Sequence, residues 1–192
     1  MGRVETMTSS ASTERLITGE ELARMPEIGR SELVEGRIVR MSPTGFRHGG
    51  VELRIGTVLN AFVEPLRIGR VLVGEVGIYT RRNPDTVRGA DVLFISNERY
   101  ARASKDKAFL DVAPELVVEV LSPDDRPGEV ARKISEYFEA GVLRVWIADP
   151  SRRTLRVHRT ANESRELKPE DNLSDDEVLP GFEVLVSELF PD

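Results

Sequence analysis

The sequence predicts an α/β or α+β fold, a mixed β-sheet with helices packed against it. Three observations point there. Apolar, β-branched runs such as Asp91-Val92-Leu93-Phe94-Ile95 and Leu116-Val117-Val118-Glu119-Val120-Leu121 read as buried strands. Between them and around them, residues 47–66 and 128–140 carry apolar side chains at three- and four-residue spacing, which is helical. The order of elements is helix, strand, strand, strand, helix, strand, strand, the alternation that layers helices on a sheet.

Taken in order, residues 1–16 are polar and Ser/Thr-rich and are expected to form a disordered tail ahead of a single domain over 17–192. Thr18-Gly19-Glu20-Glu21 fits a capping box, so a short helix should run to about Met25 and stop before Pro26. Residues 31–41 suggest a hairpin or bent strand with Gly36 at the turn, followed by a Ser42-Pro43-Thr44-Gly45 loop. Val51, Ile55, Val58, Leu59, Phe62 and Leu66 mark one face of a long helix. Residues 70–80 read as strand and 81–90 as a polar loop with Pro84 and Gly89. After the strand at 91–95, residues 96–113 are irregular or part-helical. The helix over Gly128–Ala140 is closed by Gly141, and a hairpin joins strands at 143–149 and 153–159 through Asp149-Pro150-Ser151. Residues 161–176 are polar enough to predict a loop, Leu179-Pro180-Gly181-Phe182 a turn, and Ser187 the cap of a last helical turn. No internal repeat or linker interrupts the chain.

Composition narrows the function. Of 192 residues, none is cysteine, which excludes a disulfide framework and a thiolate metal site. No apolar run approaches the roughly 20 residues that span a bilayer, and the N-terminus has no apolar signal segment, so a cytoplasmic address without membrane partners is expected. The net charge of −6 argues against broad affinity for nucleic acid but leaves room for a local basic groove. Arg152-Arg153 with Arg156 and Arg159 reads as solvated turn charge. Arg81-Arg82 with Arg88 stays open as a substrate contact, Arg88 above all, because the group leads directly into Asp91.

Three ionisable residues occupy positions where the pattern expects burial. Asp91 opens an apolar strand and Glu119 interrupts another. Lys133 falls in the stripe of Val130, Ile134, Tyr137 and Phe138 on the helix that follows. A buried carboxylate without a partner costs several kcal/mol, so Glu119 needs a cation, a metal or hydrogen bonds. Two carboxylates on neighbouring strands, aimed at the same side, make a hard oxygen site for Mg²⁺ or Mn²⁺, and the backbone carbonyl of Val120 is placed to join them. A lysine beside the bound water would hold it and stabilise developing negative charge. Singly, each residue has an ordinary reading: Asp91 a turn acceptor, Glu119 half of a buried salt bridge (Lys133 itself could be the other half), Lys133 a snorkelling side chain. Glu35 before a glycine turn and a lone His48 read as solvated.

In its order of motifs the sequence resembles the Uma2 (DUF820) family of restriction-endonuclease-like proteins. The matching stretches are Asp91-Val92, Val118-Glu119-Val120-Leu121-Ser122-Pro123, Lys133 with Tyr137 and Gly141-Val142, and Trp146-Ile147-Ala148-Asp149-Pro150. Glu32-Leu33-Val34-Glu35-Gly36-Arg37, Met41-Ser42-Pro43 with His48, and Leu179-Pro180-Gly181-Phe182 extend the likeness over residue 17 to the end. The resemblance implies a PD-(D/E)XK nuclease fold and a metal-dependent endonuclease, with Asp91 and Glu119 as metal-binding acids and Lys133 assisting the water. It also implies DNA as substrate and a homodimer. Glu35 and His48 match positions for which a metal ligand or proton carrier is open. The chain departs from the superfamily pattern at Leu121, where lysine is usual two residues after the acid, and at Ala90, where proline is usual. The rival reading from a different class is a nuclease-fold module for nucleic-acid or protein interaction, whose ionic residues form a structural network.

Overall fold

The computed structural model describes residues 15–191. Helix α1 (Gly19–Ala23) begins as the capping box requires: Thr18 accepts from the Glu21 N–H while Glu21 accepts from the Thr18 N–H. It is shorter than predicted, and a separate 3₁₀ turn (Pro26–Ile28) follows. Strands β1 (Ser31–Val34) and β2 (Arg37–Arg40) form the predicted hairpin, with Glu35 and Gly36 both at positive φ in its two-residue turn. Helix α2 (Phe46–Leu66) turns Ile55, Leu59 and Val63 inward at four-residue steps, each wholly buried. Truncating Ile55 or Leu59 to alanine carries the cost of a core cavity, about 2–5 kcal/mol.

Strand β3 (Gly69–Arg81) pairs antiparallel with β4 (Thr86–Ser96). The predicted loop over 81–90 is therefore mostly strand, and only the tight turn between β3 and β4 is left of it. The polar residues that hid the strand are all partnered. Asp85 accepts from the Gly19 N–H, Thr86 accepts from the Glu35 N–H, and Arg88 lies between two glutamates. Helix α3 (Asn97–Arg102), capped by Ser96, fills part of the irregular stretch. Then come β5 (Leu116–Val120), α4 (Pro127–Ala140) ending at Gly141 with φ 100°, and the hairpin of β6 (Arg144–Asp149) and β7 (Thr154–His158). Residues 161–176 hold two strands rather than a loop, β8 (Ser164–Leu167) and β9 (Asn172–Asp175). Leu167 and Leu173 are their only core anchors, too few to give a sequence period. The Leu-Pro-Gly-Phe stretch is a bulge inside β10 (Leu179–Leu185), which pairs with β9. Val186–Leu189 form a closing 3₁₀ turn. The tail expected at 1–16 lies, but for its last two residues, outside the described residues.

The main sheet runs β2-β1-β4-β5-β6-β7-β8, with β3 also on β4. It is mixed: β5 and β6 are parallel, joined across α4, and the other pairs are antiparallel. One face packs on α2 and the β9–β10 ribbon, burying Val92, Phe94, Val118, Val120 and Trp146. The other packs on α4, burying Leu93, Ile95, Val117, Val145, Ile147 and Tyr137. Strand β4 does not alternate evenly between these layers. Arg88 and Ala90 face α4, whereas Val92 and Phe94 face α2. The change falls at Asp91, opposite a bulge where β3 spends two residues, Gly74 and Glu75, against one of β4. Both bulge residues have positive φ.

Candidate active site

Glu119 points from β5 toward α4, sharing the parity of Val117. Its two oxygens are both taken: Lys133 Nζ donates to Oε2 at 2.7 Å and the Tyr137 hydroxyl to Oε1 at 2.6 Å. Lys133 and Tyr137 are four residues apart on α4, so one helix face delivers both. Lys133 also donates to the Gly89 carbonyl at 2.9 Å and lies 3.0 Å from Oε1 of Glu32 on β1. Glu32 in turn accepts from the Gly89 N–H and from Arg88, which also donates to Glu136 on α4. The α4 side of the sheet thus carries a closed chain of alternating charges.

Asp91 turns to the other layer. Its Oδ2 accepts from the Val120 N–H at 2.7 Å and lies 3.3 Å from His48 Nε2 on the first turn of α2. Glu52, one turn further along α2, brings Oε2 to 3.8 Å from His48 Nδ1. The bulge holds Glu52 in place, since the Gly74 N–H donates to Oε1 at 2.9 Å. Ligand atoms of His48, Glu52 and Asp91 all lie within 4.8 Å of one another. The His48 Nδ1 is buried without a hydrogen-bond partner.

The electrostatics of the two sides follow from these contacts. Burial pushes the Glu119 carboxyl up to about 8; the Lys133 ammonium opposes this and the Asp91 carboxylate adds to it. Burial disfavours a charged Lys133, but Glu119 and Glu32 outweigh it and hold the ammonium above its ordinary range. Burial likewise opposes ionisation of Glu32, and Lys133 and Arg88 overcome it, so this carboxyl sits below its ordinary value. On the α2 side, burial resists a charged His48, yet the hydrogen bond and charge of Asp91, with Glu52, raise it. Glu52 is pushed up by burial and then by Asp91.

A divalent cation fits this surrounding. Two oxygens on opposite sides of a Mg²⁺ stand about 4 Å apart, close to the spread of the His48, Glu52 and Asp91 ligand atoms. The donors are carboxylates with one imidazole, suited to Mg²⁺ or Mn²⁺ with a lean to the latter. The unpartnered Nδ1 and the Glu52 carboxyl, raised by burial, are groups that a positive ion would satisfy.

Of the residues singled out from sequence, the fold brings Glu119 and Lys133 into contact and sets Asp91 beside them through the Val120 backbone, with His48 against Asp91. Val120, whose carbonyl was offered to a metal, gives its N–H to Asp91. Glu35 is not brought to this group. It sits half-exposed on the β1–β2 turn, paired with Arg81 and Arg132. Arg88, read as a substrate contact, is only 5% exposed and faces Glu32 and Glu136, so its guanidinium serves the interior. Three participants escaped the sequence reading. Glu52 lies four residues after His48, a helical spacing that could have flagged it. Glu32 gives no sequence signal beyond its motif, and Tyr137 falls in the apolar stripe of α4, a core position that it also fills.

Fold and site together define a mixed α+β domain of the restriction-endonuclease-like kind. A family model described as Uma2, putative restriction endonuclease, matches residues 19–187, and the chain belongs to this family. Among solved structures it is similar to a crystal structure described as a putative nuclease belonging to DUF820 from Anabaena variabilis ATCC 29413. The TM-score is 0.76 at 23% identity, over 91% of this chain and 97% of that one, a likeness of fold. No curated protein matches the chain. No helix among the described residues is long and apolar enough to cross a membrane.

Proposed function

We propose that this chain is a Mg²⁺- or Mn²⁺-dependent endonuclease that hydrolyses DNA phosphodiester bonds. The observation that carries the reading is the meeting of Lys133 with Glu119 at 2.7 Å, one residue from the Val120 N–H that holds Asp91. Asp91 would hold the metal with His48 and Glu52 on the α2 side; Glu119, bonded to Lys133 and Tyr137 on the α4 side, would join the donor set only by releasing one of them, with the Val120 carbonyl beside it. The bound cation supplies a Lewis acid and a water more acidic than bulk. Lys133 orients that water and offsets negative charge that develops on the phosphoryl oxygens. Tyr137 fixes the carboxyl of Glu119, and Glu32 with Arg88 keeps Lys133 aimed at it. The reading carries with it a homodimer, to span a duplex, and a cytoplasmic address.

Nicking of supercoiled plasmid tests it. Wild type cleaves with Mg²⁺ or Mn²⁺ and stops with chelator, and Asp91→Ala and Lys133→Ala each fall by at least about 100-fold, the loss of a group acting on the transition state. Equal cleavage by wild type and Lys133→Ala sinks the proposal. One observation favours a second reading, an interaction module without turnover: both oxygens of Glu119 are already satisfied within the protein. That reading wins if Mn²⁺ leaves the thermal midpoint of wild type unmoved.

A further inference from the structure

Arg81, from the basic cluster that precedes Asp91, and Arg132, the neighbour of Lys133 on α4, converge on one carboxylate oxygen. Arg81 Nη2 lies 2.7 Å and Arg132 Nη2 3.2 Å from Oε1 of Glu35. All three side chains are about half exposed, at 48, 45 and 49%. Arg37 adds its charge at the same place, and the three cations together hold the Glu35 carboxyl below its ordinary value. Arg81 and Arg132 thus set two guanidinium groups on one surface carboxylate oxygen of a chain whose net charge is −6. An exposed ion pair of this kind adds little to folding. Two planar forks that share one oxygen are, however, an arrangement that suits a phosphate. This group is also wired to the candidate active site: Arg132 donates to Glu136, Glu136 accepts from Arg88, Arg88 donates to Glu32, and Glu32 pairs with Lys133.

We propose that Arg81 and Arg132 form a docking point for a backbone phosphate of duplex DNA, and that Glu35 occupies the phosphate's place in the free protein. This rests on the nuclease reading for its choice of partner, but not on turnover. Glu35 is then a placeholder that keeps the two guanidinium groups together and is displaced when the duplex arrives. Because Glu35 competes with the phosphate, its removal strengthens binding, which no purely structural role for the triad would do.

The test is anisotropy of a short fluorescent duplex in chelator, so that no cleavage occurs, over a series of NaCl concentrations. Glu35→Gln binds roughly two- to fivefold tighter than wild type, the scale of one exposed ion pair lost from the competition. Arg81→Ala with Arg132→Ala binds more weakly and lowers the slope of log K against log salt by about 0.9, one phosphate contact. Arg81→Lys keeps the slope and loses affinity, since the charge stays and the fork goes. Thermal midpoints taken alongside show whether each variant is folded. Should Glu35→Gln bind no tighter, should the double variant keep the wild-type slope, or should wild type fail to bind duplex at low salt, the docking point is overturned. These outcomes are separable from plasmid cleavage. A protein that binds with this pattern yet never cuts keeps the docking point and loses the nuclease, and one that cuts while Glu35→Gln binds as wild type does the reverse.

Discussion

The two layers of the candidate site differ in how their charges are closed. On the α4 side, Glu119, Glu32 and Glu136 face Lys133 and Arg88, with Arg132 at the outer end, and hydrogen bonds and ion pairs link every member. On the α2 side, Asp91 and Glu52 face one imidazole. Arg30 lends its field there, but its guanidinium is paired with Glu75. The first arrangement is complete as folded and the second is short of positive charge. The two carboxylate-rich sides therefore differ: one holds its groups in fixed positions, and the other has the donors that would favour a cation.

The comparison breaks most visibly at Lys133. Lys133→Met leaves Glu119 buried without its cation while Glu32 keeps only Arg88, and removal of one member of a buried pair costs about 3–5 kcal/mol. Urea unfolding reads this directly, and a loss below 1 kcal/mol would mean that the α4 network is not closed. Next in size is the response to metal. Mn²⁺ at a hundred times its Kd stabilises wild type by about 2.7 kcal/mol. Asp91→Asn and Glu52→Gln should lose that response in a thermal-shift titration; retention by Glu52→Gln removes the α2 side from the metal's donor set.

Stability against pH sharpens the contrast further. Glu119 has its pKa raised from 4.5 to about 8 on folding. Its protonated form is thus favoured in the folded state, so its contribution is full below pH 4.5 and is lost as pH rises toward 8. His48 is raised above 6.5, so its contribution is full below 6.5 and is lost only above that. Metal-free Glu119→Gln should flatten the decline from pH 4.5 upward, whereas His48→Asn should flatten only the part above 6.5. A variant whose stability follows the wild-type pH slope contradicts the assignment for its residue. The smallest effect belongs to Tyr137→Phe. It removes one hydrogen bond from Glu119 and should cost about 1 kcal/mol, with the folded-state pKa of Glu119 moving up when followed by NMR.

The sequence made the scaffold legible where one physical signal acted alone. The Thr18 capping box, the buried face of α2 and the Gly141 stop all follow from local chemistry, and each stands within a residue or two of its predicted place. Strand β4 was half-read because its first residues, Thr86 and Arg88, are polar and partnered by elements far along the chain. Strands β8 and β9 were missed because two leucines do not make a period. At the site, an acid inside an apolar run announced Glu119, and the stripe of α4 announced Lys133. What the sequence could not carry is direction. Asp91 and Glu119 both looked like inward acids, yet they serve opposite layers, and Glu52 takes its place only because Gly74 meets it in space.

The bulge at Gly74 and Glu75 decides which layer of this chain owns Asp91. Side chains of a strand change sides with every step, so one extra position on β3 is matched by a skipped beat on β4, and that beat falls on Asp91. Ownership of the acid by one layer or the other is then a matter of chain length. A single-codon deletion at Gly74 would hand Asp91 from the α2 helix to its opposite number, and with it would turn Val76, Ile78, Arg88 and Ala90 over to the α2 side.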